Sequence, residues 1–173
     1  TNYPWGGAQV GNTPGKRYKQ NTHGGGVRDP LIVSWPNGID QEASGGIRTQ
    51  FHHVVDLAPT ILELVGSASP DEIGGVAQQP IEGTSLVYTF DTKAEDAGAV
   101  PTRKEIQYFE MQGHRALWHD GWKAVAYHRY GTSLDDDVWE LYHLDEDFSE
   151  CRDLADAQPE RLAGMVDRFW EEA

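Results

Sequence analysis

The second half of the chain contains four short runs in which apolar and polar residues alternate or apolar residues cluster. Alternation with a period of two predicts β-strands that turn one face toward a core. The dipeptide Asp120-Gly121, between the second and third runs, is typical of a two-residue hairpin turn. The pattern therefore predicts a four-stranded antiparallel meander, with strands at residues 105–111, 115–119, 122–128 and 138–144.

The last segment of the chain has the period of an amphipathic helix. This helix is predicted to begin near Pro159, because proline is favoured in the first helical turn. Its predicted buried stripe consists of Leu162, Val166, Phe169 and Trp170. One helix that covers a small antiparallel sheet makes an α+β layer.

The first half of the chain predicts one helix and one buried strand. The helix is marked by Asp56 as its cap, Pro59 in its first turn and Gly66 after its end. Its apolar positions form a stripe at helical spacing: Leu57, Ile61, Leu64 and Val65. The run at residues 31–35 is short, apolar and followed by Pro36, so it predicts a buried strand.

A polar segment rich in alanine and aspartate separates these two regions. Residues 91–103 have no apolar periodicity and are predicted to be the internal linker. We therefore expect two parts, at residues 1–90 and 104–173.

Three consecutive glycines at residues 24–26 lie between a basic loop and the apolar run. Glycine allows the backbone to approach a ligand or another chain segment closely. The loop before the glycines, at residues 16–19, has the densest positive charge in the chain. The combination predicts the edge of an anion site, with backbone N–H groups from the turn and charge from Lys19 or Arg28. No G-x-x-x-x-G-K-[ST] nucleotide loop is present, so we interpret the glycines as a structural turn.

The overall charge limits the partners of the protein. The formal net charge is -14, from 28 acidic and 14 basic residues. Such a surface repels nucleic acid and anionic membranes, so we expect neither as a partner. No apolar run approaches the ~18 residues of a membrane span. An anionic substrate would need a local basic pocket. A single cysteine excludes an internal disulfide framework; it favours the cytoplasm only weakly, so that a periplasmic or secreted protein stays open.

The segment from Lys19 to Pro36 has the spacing K-x-x-T-x-x-G-G-x-R-x-P-x-x-x-x-W-P. In this feature it resembles the formylglycine-dependent type I sulfatases, especially the bacterial arylsulfatases. The resemblance continues through residues 51–66, 113–125 and 139–155. It implies the C-terminal portion of an α/β enzyme with the alkaline-phosphatase-like sulfatase fold. Residues 1–90 would then be the tail of the large domain, and residues 104–173 the small C-terminal subdomain.

The resemblance implies an arylsulfatase-like hydrolase of sulfuric esters that acts on a small-molecule sulfate ester. In that family the nucleophile is a formylglycine made from a cysteine in a C-x-P-x-R motif, and Ca²⁺ is bound nearby. The motif is absent here, and Cys151 has neither proline nor arginine at the required spacing. We expect both groups upstream, in the rest of the sulfatase chain, no metal ligand in this segment, and no activity from this segment alone.

Three residues are candidates for the substrate site. The resemblance places Lys19 at the family's lysine that touches the sulfate, where an ammonium can stabilise charge that develops on oxygen. His23 and His114 are candidate substrate contacts, although packing is an alternative for each. Arg28 could bind sulfate, but we expect it to pair within the protein.

Two other functions remain open from the sequence. A phosphonate or phosphate monoester hydrolase of the same superfamily has similar charge demands. A non-catalytic module that binds anionic ligands is a different class of function, and the upstream nucleophile and metal ligands would discriminate between them.

Overall fold

The computed structural model describes residues 3–173, which form two compact units. The first unit combines the residues up to Leu31 with Ile106–Ala173, and the second is Ile32–Glu105. These boundaries differ from the predicted parts at residues 1–90 and 104–173, because the N-terminal segment packs on the C-terminal sheet. The assignment of residues 1–90 to a larger α/β domain stays a prediction.

The described residues contain four α-helices and six strands. The helices are α1 (Trp5–Asn12), α2 (Gly24–Val27), α3 (Leu57–Leu64) and α4 (Pro159–Glu172). The strands are β1 (Glu72–Ile73), β2 (Val76–Ala77), β3 (Ile106–Met111), β4 (His114–His119), β5 (Trp122–Ala126) and β6 (Trp139–His143). Strands β1 and β2 form a small exposed hairpin within the segment that follows α3.

The first unit is built on the antiparallel sheet β3-β4-β5-β6, so the predicted meander is confirmed. Asp120 and Gly121 join β4 to β5 with φ angles of 48° and 77°. Positive φ at both central positions is what a type I′ hairpin turn requires. One face of the sheet carries Leu117, Ala124 and Leu141 in register, and α4 packs on it.

Helix α4 begins at Pro159 as predicted, but its buried side is centred on Met165 and Phe169 and does not include Trp170. Met165 and Phe169 are buried, whereas Trp170 is 55% exposed. Successive helical residues are separated by about 100°, so Trp170 points away from the direction of Phe169. The prediction that Trp170 is buried was therefore wrong, although its ring forms a T-shaped pair with that of Phe169, with the centroids 5.1 Å apart.

In the second unit, α3 is confirmed, and Gly66 follows it with a φ of 66°. The side chain of Asp56 does not cap α3. It is fully buried, and its carboxylate accepts hydrogen bonds from the backbone N–H groups of His53 and Thr84 and from Lys104 Nζ. Asp56 therefore ties together distant segments of this unit.

The apolar run at residues 31–35 is not a buried strand. It has no regular secondary structure, and Ile32 is 90% exposed. A buried strand needs hydrogen-bonded neighbours, and no strand of the described residues pairs with this run. The apolar stripe of α3 is also exposed in part, since its Ile61 side chain is 60% exposed.

The segment at residues 91–103, predicted as a linker, lies within the second unit. It contains the 3₁₀ turn Ala94–Asp96, and the Gln50 amide donates to the carbonyl groups of Ala97 and Val100. No helix in residues 3–173 has the length and apolarity to cross a membrane.

Candidate anion-binding site

The basic loop at residues 16–21 lies directly on the backbone of α2. A Cβ atom on Gly25 would lie 2.1 Å from the carbonyl oxygen of Arg17, and one on Gly26 would lie 2.0 Å from that of Asn21. The Gly25 N–H also donates to the carbonyl of Lys16 at 2.8 Å. The consecutive glycines are therefore needed for this close approach and form one helical turn, in agreement with a structural role.

A partly buried polar cluster holds this segment to the sheet face opposite α4. Lys16 Nζ lies 2.8 Å from Glu140 Oε2 and 2.7 Å from the Tyr142 hydroxyl, which itself donates to Glu140. His23 Nε2 lies 2.9 Å from the same Glu140 oxygen. We call Lys16, His23, Glu140 and Tyr142 the Glu140 cluster.

Two further contacts fix the segment just after the loop. The Gly24 N–H donates to Glu150 Oε2 at 2.8 Å, and the other oxygen of Glu150 accepts from Lys123 Nζ at 2.6 Å. Glu150 and Lys123 are both buried. The Thr22 hydroxyl donates to the carbonyl of Arg115 at 3.1 Å. Strands β4, β5 and β6 thus all contribute to positioning the loop.

Above this support, the loop borders a cavity of about 260 Å³. The cavity brings two cationic side chains, Arg17 and Lys19, to the same place as His114 at the start of β4. Aromatic and amide side chains complete the wall: Trp5, Gln9, Tyr18, Gln20, Asn21 and Tyr127. The cavity is a local basic, donor-rich site on a protein with a net charge of -14.

Arg17 retains hydrogen-bonding capacity at this site. Its guanidinium carbon lies 3.9 Å from the ring centroid of Tyr127, a cation–π contact that orients the side chain. Its Nε is buried and has no hydrogen-bond partner among the described residues. Lys19 is exposed to solvent. An anion in the cavity could therefore accept hydrogen bonds from both side chains.

His114 is held in one tautomer by its neighbours. The backbone N–H of His128 donates to His114 Nδ1 at 3.0 Å, so the neutral ring carries its proton on Nε2. Burial lowers the pKa of His114, and the positive charge of Arg17 lowers it further. At neutral pH, His114 is an uncharged ring with an N–H donor at Nε2.

The support of His114 extends further into the sheet. The ring of His128 lies 3.0 Å from Asp137 Oδ2 through its Nδ1. Asp137 also accepts from the Arg115 guanidinium at 2.5 Å. This chain of hydrogen bonds connects the cavity wall to a buried ion pair.

Lys19 and His114, both predicted from the sequence, thus lie at the same cavity. His23 does not line it, because its side chain is 1% exposed and bound to Glu140. Burial is the largest influence on the pKa of His23 and lowers it, although hydrogen bonding to Glu140 opposes this shift. Arg28 stacks on Phe148, with the guanidinium carbon 3.7 Å from the ring centroid, which agrees with a role within the protein.

The sequence analysis missed Arg17, Trp5 and Tyr127 as cavity residues. The signal for Arg17 was present, since it lies in the basic cluster at residues 16–19. The two aromatic residues had no local signal, because they reach the cavity from α1 and from the end of β5.

The described residues do not fit the metal or the nucleophile that the resemblance implies. No group of three or more histidine, cysteine, aspartate and glutamate side chains in residues 3–173 could hold a metal ion. Cys151 is exposed, and its Sγ lies 3.9 Å from the carbonyl oxygen of Ser149. The described residues therefore supply neither group.

Comparisons with known proteins agree with this architecture. The family model for N-sulphoglucosamine sulphohydrolase, C-terminal, matches residues 16–169. An uncharacterized sulfatase of Schizosaccharomyces pombe is 28% identical over 167 residues, which cover 94% of this chain and 28% of that protein.

Two solved structures share the fold. The crystal structure of Ps i-CgsB has a TM-score of 0.68 at 22% identity and covers 92% of this chain and 32% of its own. The structure of BT4656 with its substrate D-glucosamine-2-N,6-O-disulfate has a TM-score of 0.55 at 21% identity, and covers 83% and 27%. This chain therefore spans about a third or less of the proteins that it matches.

Proposed function

The chain belongs to the family of N-sulphoglucosamine sulphohydrolase C-terminal domains and is the C-terminal portion of a sulfatase, and from this premise we propose that the full-length protein hydrolyses sulfate esters. In this proposal, residues 16–21 and His114 supply one wall of the substrate pocket. The observation that carries it is the convergence of Arg17, Lys19 and His114 on one cavity.

The chemistry of sulfate-ester cleavage explains why these groups are useful. Negative charge on the ester oxygen increases as its bond to sulfur breaks. A fixed ammonium at Lys19 would stabilise this charge more strongly in the transition state than in the ground state. Arg17 and the Nε2–H of His114 would bind the remaining sulfate oxygens and orient the group.

We propose a sulfated sugar as the natural substrate and an aryl sulfate as a usable assay substrate. Structural neighbours include BT4656, whose substrate is a sulfated glucosamine. The exposed rings of Trp5 and Tyr127 offer apolar faces beside the cationic groups. Amide side chains at Gln9 and Gln20 can hydrogen-bond hydroxyl groups. This mixture suits a polar ring that carries an anionic ester.

The nucleophile and metal of this activity would come from other parts of the full-length protein. The family resemblance implies formylglycine and Ca²⁺, which supply nucleophilic attack and polarisation of the sulfate when present. Because the described residues fit neither, we expect the 173-residue chain alone to have no hydrolase activity.

The proposal is tested by measuring kcat/KM of the full-length protein for a nitrophenyl sulfate and for a glucosamine sulfate. We expect Lys19→Ala to lower kcat/KM at least 100-fold, equivalent to about 2.7 kcal/mol of transition-state stabilisation. The matched control is Lys93→Ala, which removes an exposed lysine that is paired with Glu42 in the second unit. This control should have nearly unchanged kinetics.

The same assay separates the alternatives. Full activity of Lys19→Ala would show that Lys19 does not contribute to the substrate site. Cleavage of only a nitrophenyl phosphate by the parent protein would instead identify a phosphate monoester hydrolase. Binding of inorganic sulfate without turnover of any ester would identify a non-catalytic anion-binding module.

A further inference from the structure

One carboxylate oxygen beneath the basic loop accepts three hydrogen bonds. Glu140 Oε2 lies 2.8 Å from Lys16 Nζ, 2.9 Å from His23 Nε2 and 2.5 Å from the Tyr142 hydroxyl. Two of these donors come from the loop segment, and the other two members of the cluster come from β6. One oxygen atom of β6 thus binds this segment at two positions, in addition to the contacts that Thr22 and Gly24 make just after the loop.

The two loop donors bracket Lys19. Lys16 lies three residues before it and His23 lies four residues after it. Because both ends are tied to the same oxygen, the intervening backbone is closed into a short loop with few conformations. Lys19, near the middle, is exposed, and its side chain makes no hydrogen bond or ion pair with another described residue.

The Glu140 cluster also determines which cationic side chains of the loop are available to an anion in the cavity. Glu140 neutralises Lys16, which therefore does not compete for a cavity anion, while Lys19 and Arg17 keep their charges at the cavity. Burial opposes ionisation of Glu140, but hydrogen bonds from His23, Lys16 and Tyr142 outweigh it and hold its pKa well below the usual range. Glu140 thus stays ionised at any pH at which an enzyme assay is run.

We propose that Glu140 is a positioning residue that holds the Lys19 loop in the geometry needed to bind the sulfate group. This inference rests on the proposed function of the cavity. Glu140 does not line the cavity, and its hydrogen bonds to the loop segment go to Lys16 and His23. A loss of its charge should loosen the loop and misplace Lys19, and an error of about 1 Å at such a position can cost 10²-fold in rate.

The first test is Glu140→Gln in the full-length protein. The amide keeps the shape of the side chain but weakens the charge-assisted hydrogen bonds. We expect at least a 10-fold decrease in kcat/KM for the sulfate ester, equivalent to about 1.4 kcal/mol. We also expect faster tryptic cleavage after Lys16, Arg17 and Lys19 in the folded protein. The matched control, Glu146→Gln, removes an exposed carboxylate that also pairs with a histidine and should change neither value.

A double-mutant cycle distinguishes positioning from a general loss of stability. If Glu140 acts through Lys19, Glu140→Gln should have little further effect on kcat/KM in the Lys19→Ala background. Additive effects, or unchanged kcat/KM and trypsin sensitivity in the single variant, would overturn the inference. Should Glu140→Gln fail to fold, Lys16→Gln replaces it in the same cycle, because it removes the ion pair with Glu140 by changing a side chain that is 33% exposed.

The kinetics of the Lys19→Ala variant alone test the proposed function of the cavity. If Lys19→Ala alone leaves kcat/KM unchanged, the proposed function of the cavity fails and the inference fails with it. If Lys19→Ala is impaired while Glu140→Gln is not, only the positioning role of Glu140 is wrong.

Discussion

At the scale of single residues, His114 combines an internal acceptor with an outward donor. Its Nδ1 accepts from the His128 backbone, which leaves Nε2–H for a ligand. We predict that His114→Asn, whose oxygen can replace Nδ1, lowers kcat/KM of the full-length protein about 10-fold, a typical loss for one hydrogen bond to a charged group. The free energy of unfolding, from urea denaturation, should change by less than about 0.5 kcal/mol.

His114→Ala removes both functions and serves as the comparison. It should lower kcat/KM to a similar extent and also destabilise the fold by about 1 kcal/mol, because the His128 N–H loses its partner. Full activity of both variants would show that His114 only packs beside Tyr127, with their ring centroids 4.7 Å apart.

The pH dependence of stability tests the role of His23 in the Glu140 cluster. Burial lowers the pKa of His23 from the ordinary value of 6.5, despite the nearby Glu140. Below pH 6.5 the unfolded chain therefore binds more protons than the folded one, and stability is lost as the pH falls. We predict a lower free energy of unfolding at pH 5.5 than at pH 7.5, measured by urea denaturation.

The variant His23→Gln identifies the source of this dependence. Its amide can still donate to Glu140 but does not titrate, so the loss of stability on acidification should become smaller. It should not vanish, since burial also lowers the pKa values of His52, His53 and His114. A pH dependence identical to that of the parent would show that His23 titrates as in the unfolded chain.

At the scale of elements, a substitution in α2 tests whether its glycines are needed for the close approach of the basic loop. We predict that Gly25→Ala destabilises the first unit by more than about 2 kcal/mol and impairs activity, because its Cβ would lie 2.1 Å from a backbone carbonyl oxygen. The control is Gly164→Ala in α4, where nothing lies within 4 Å of the added Cβ. That variant should stabilise the protein by about 0.5–1 kcal/mol.

Thermal unfolding of the two glycine variants gives opposite shifts if this interpretation holds. A neutral Gly25→Ala variant would mean that the loop at residues 16–21 can move off α2 without cost. In that case the glycines would have no steric role in the site.

The elements that the sequence predicted correctly are those whose signal is local. The meander, its Asp120-Gly121 turn and α4 follow from alternation, turn chemistry and helical spacing within a few residues. Helix α1 was missed because its sequence, with two adjacent glycines and no buried residue, has no helical stripe. The run at residues 31–35 was misassigned because an apolar pattern predicts a strand only where a sheet is available to receive it.

The residues of the candidate site also differ in whether a local sequence signal identifies them. Lys19 was predicted from a motif spacing, and His114 from its place at the start of a strand. The Glu140 cluster was not predicted, because its hydrogen bonds join residues more than 100 positions apart. Periodicity and short motifs carry no information about such contacts.

At the scale of the whole molecule, the second unit exposes several large apolar side chains. Ile32, the α3 residues Leu57 and Ile61, and Val65 directly after α3 are all exposed in the described structure. Leu57, Ile61 and Val65 recur every four residues and therefore lie along one side of the helix, and exposed apolar side chains grouped in this way commonly mark an interface. Because this chain spans only 28% of its S. pombe relative, we propose that the rest of the sulfatase chain covers this surface.

A charge on the α3 stripe tests that proposal. Ile61→Glu should leave the stability of the 173-residue chain within about 0.5 kcal/mol, since the side chain is 60% exposed there. In the full-length protein the same change would bury an unpaired carboxylate and should lower the free energy of unfolding by several kcal/mol. The control is Val138→Glu, at an exposed position on the first unit, which should be neutral in both proteins. An Ile61→Glu variant that is neutral in both would mean that α3 faces solvent in the full-length protein, and the covering surface would have to be sought elsewhere.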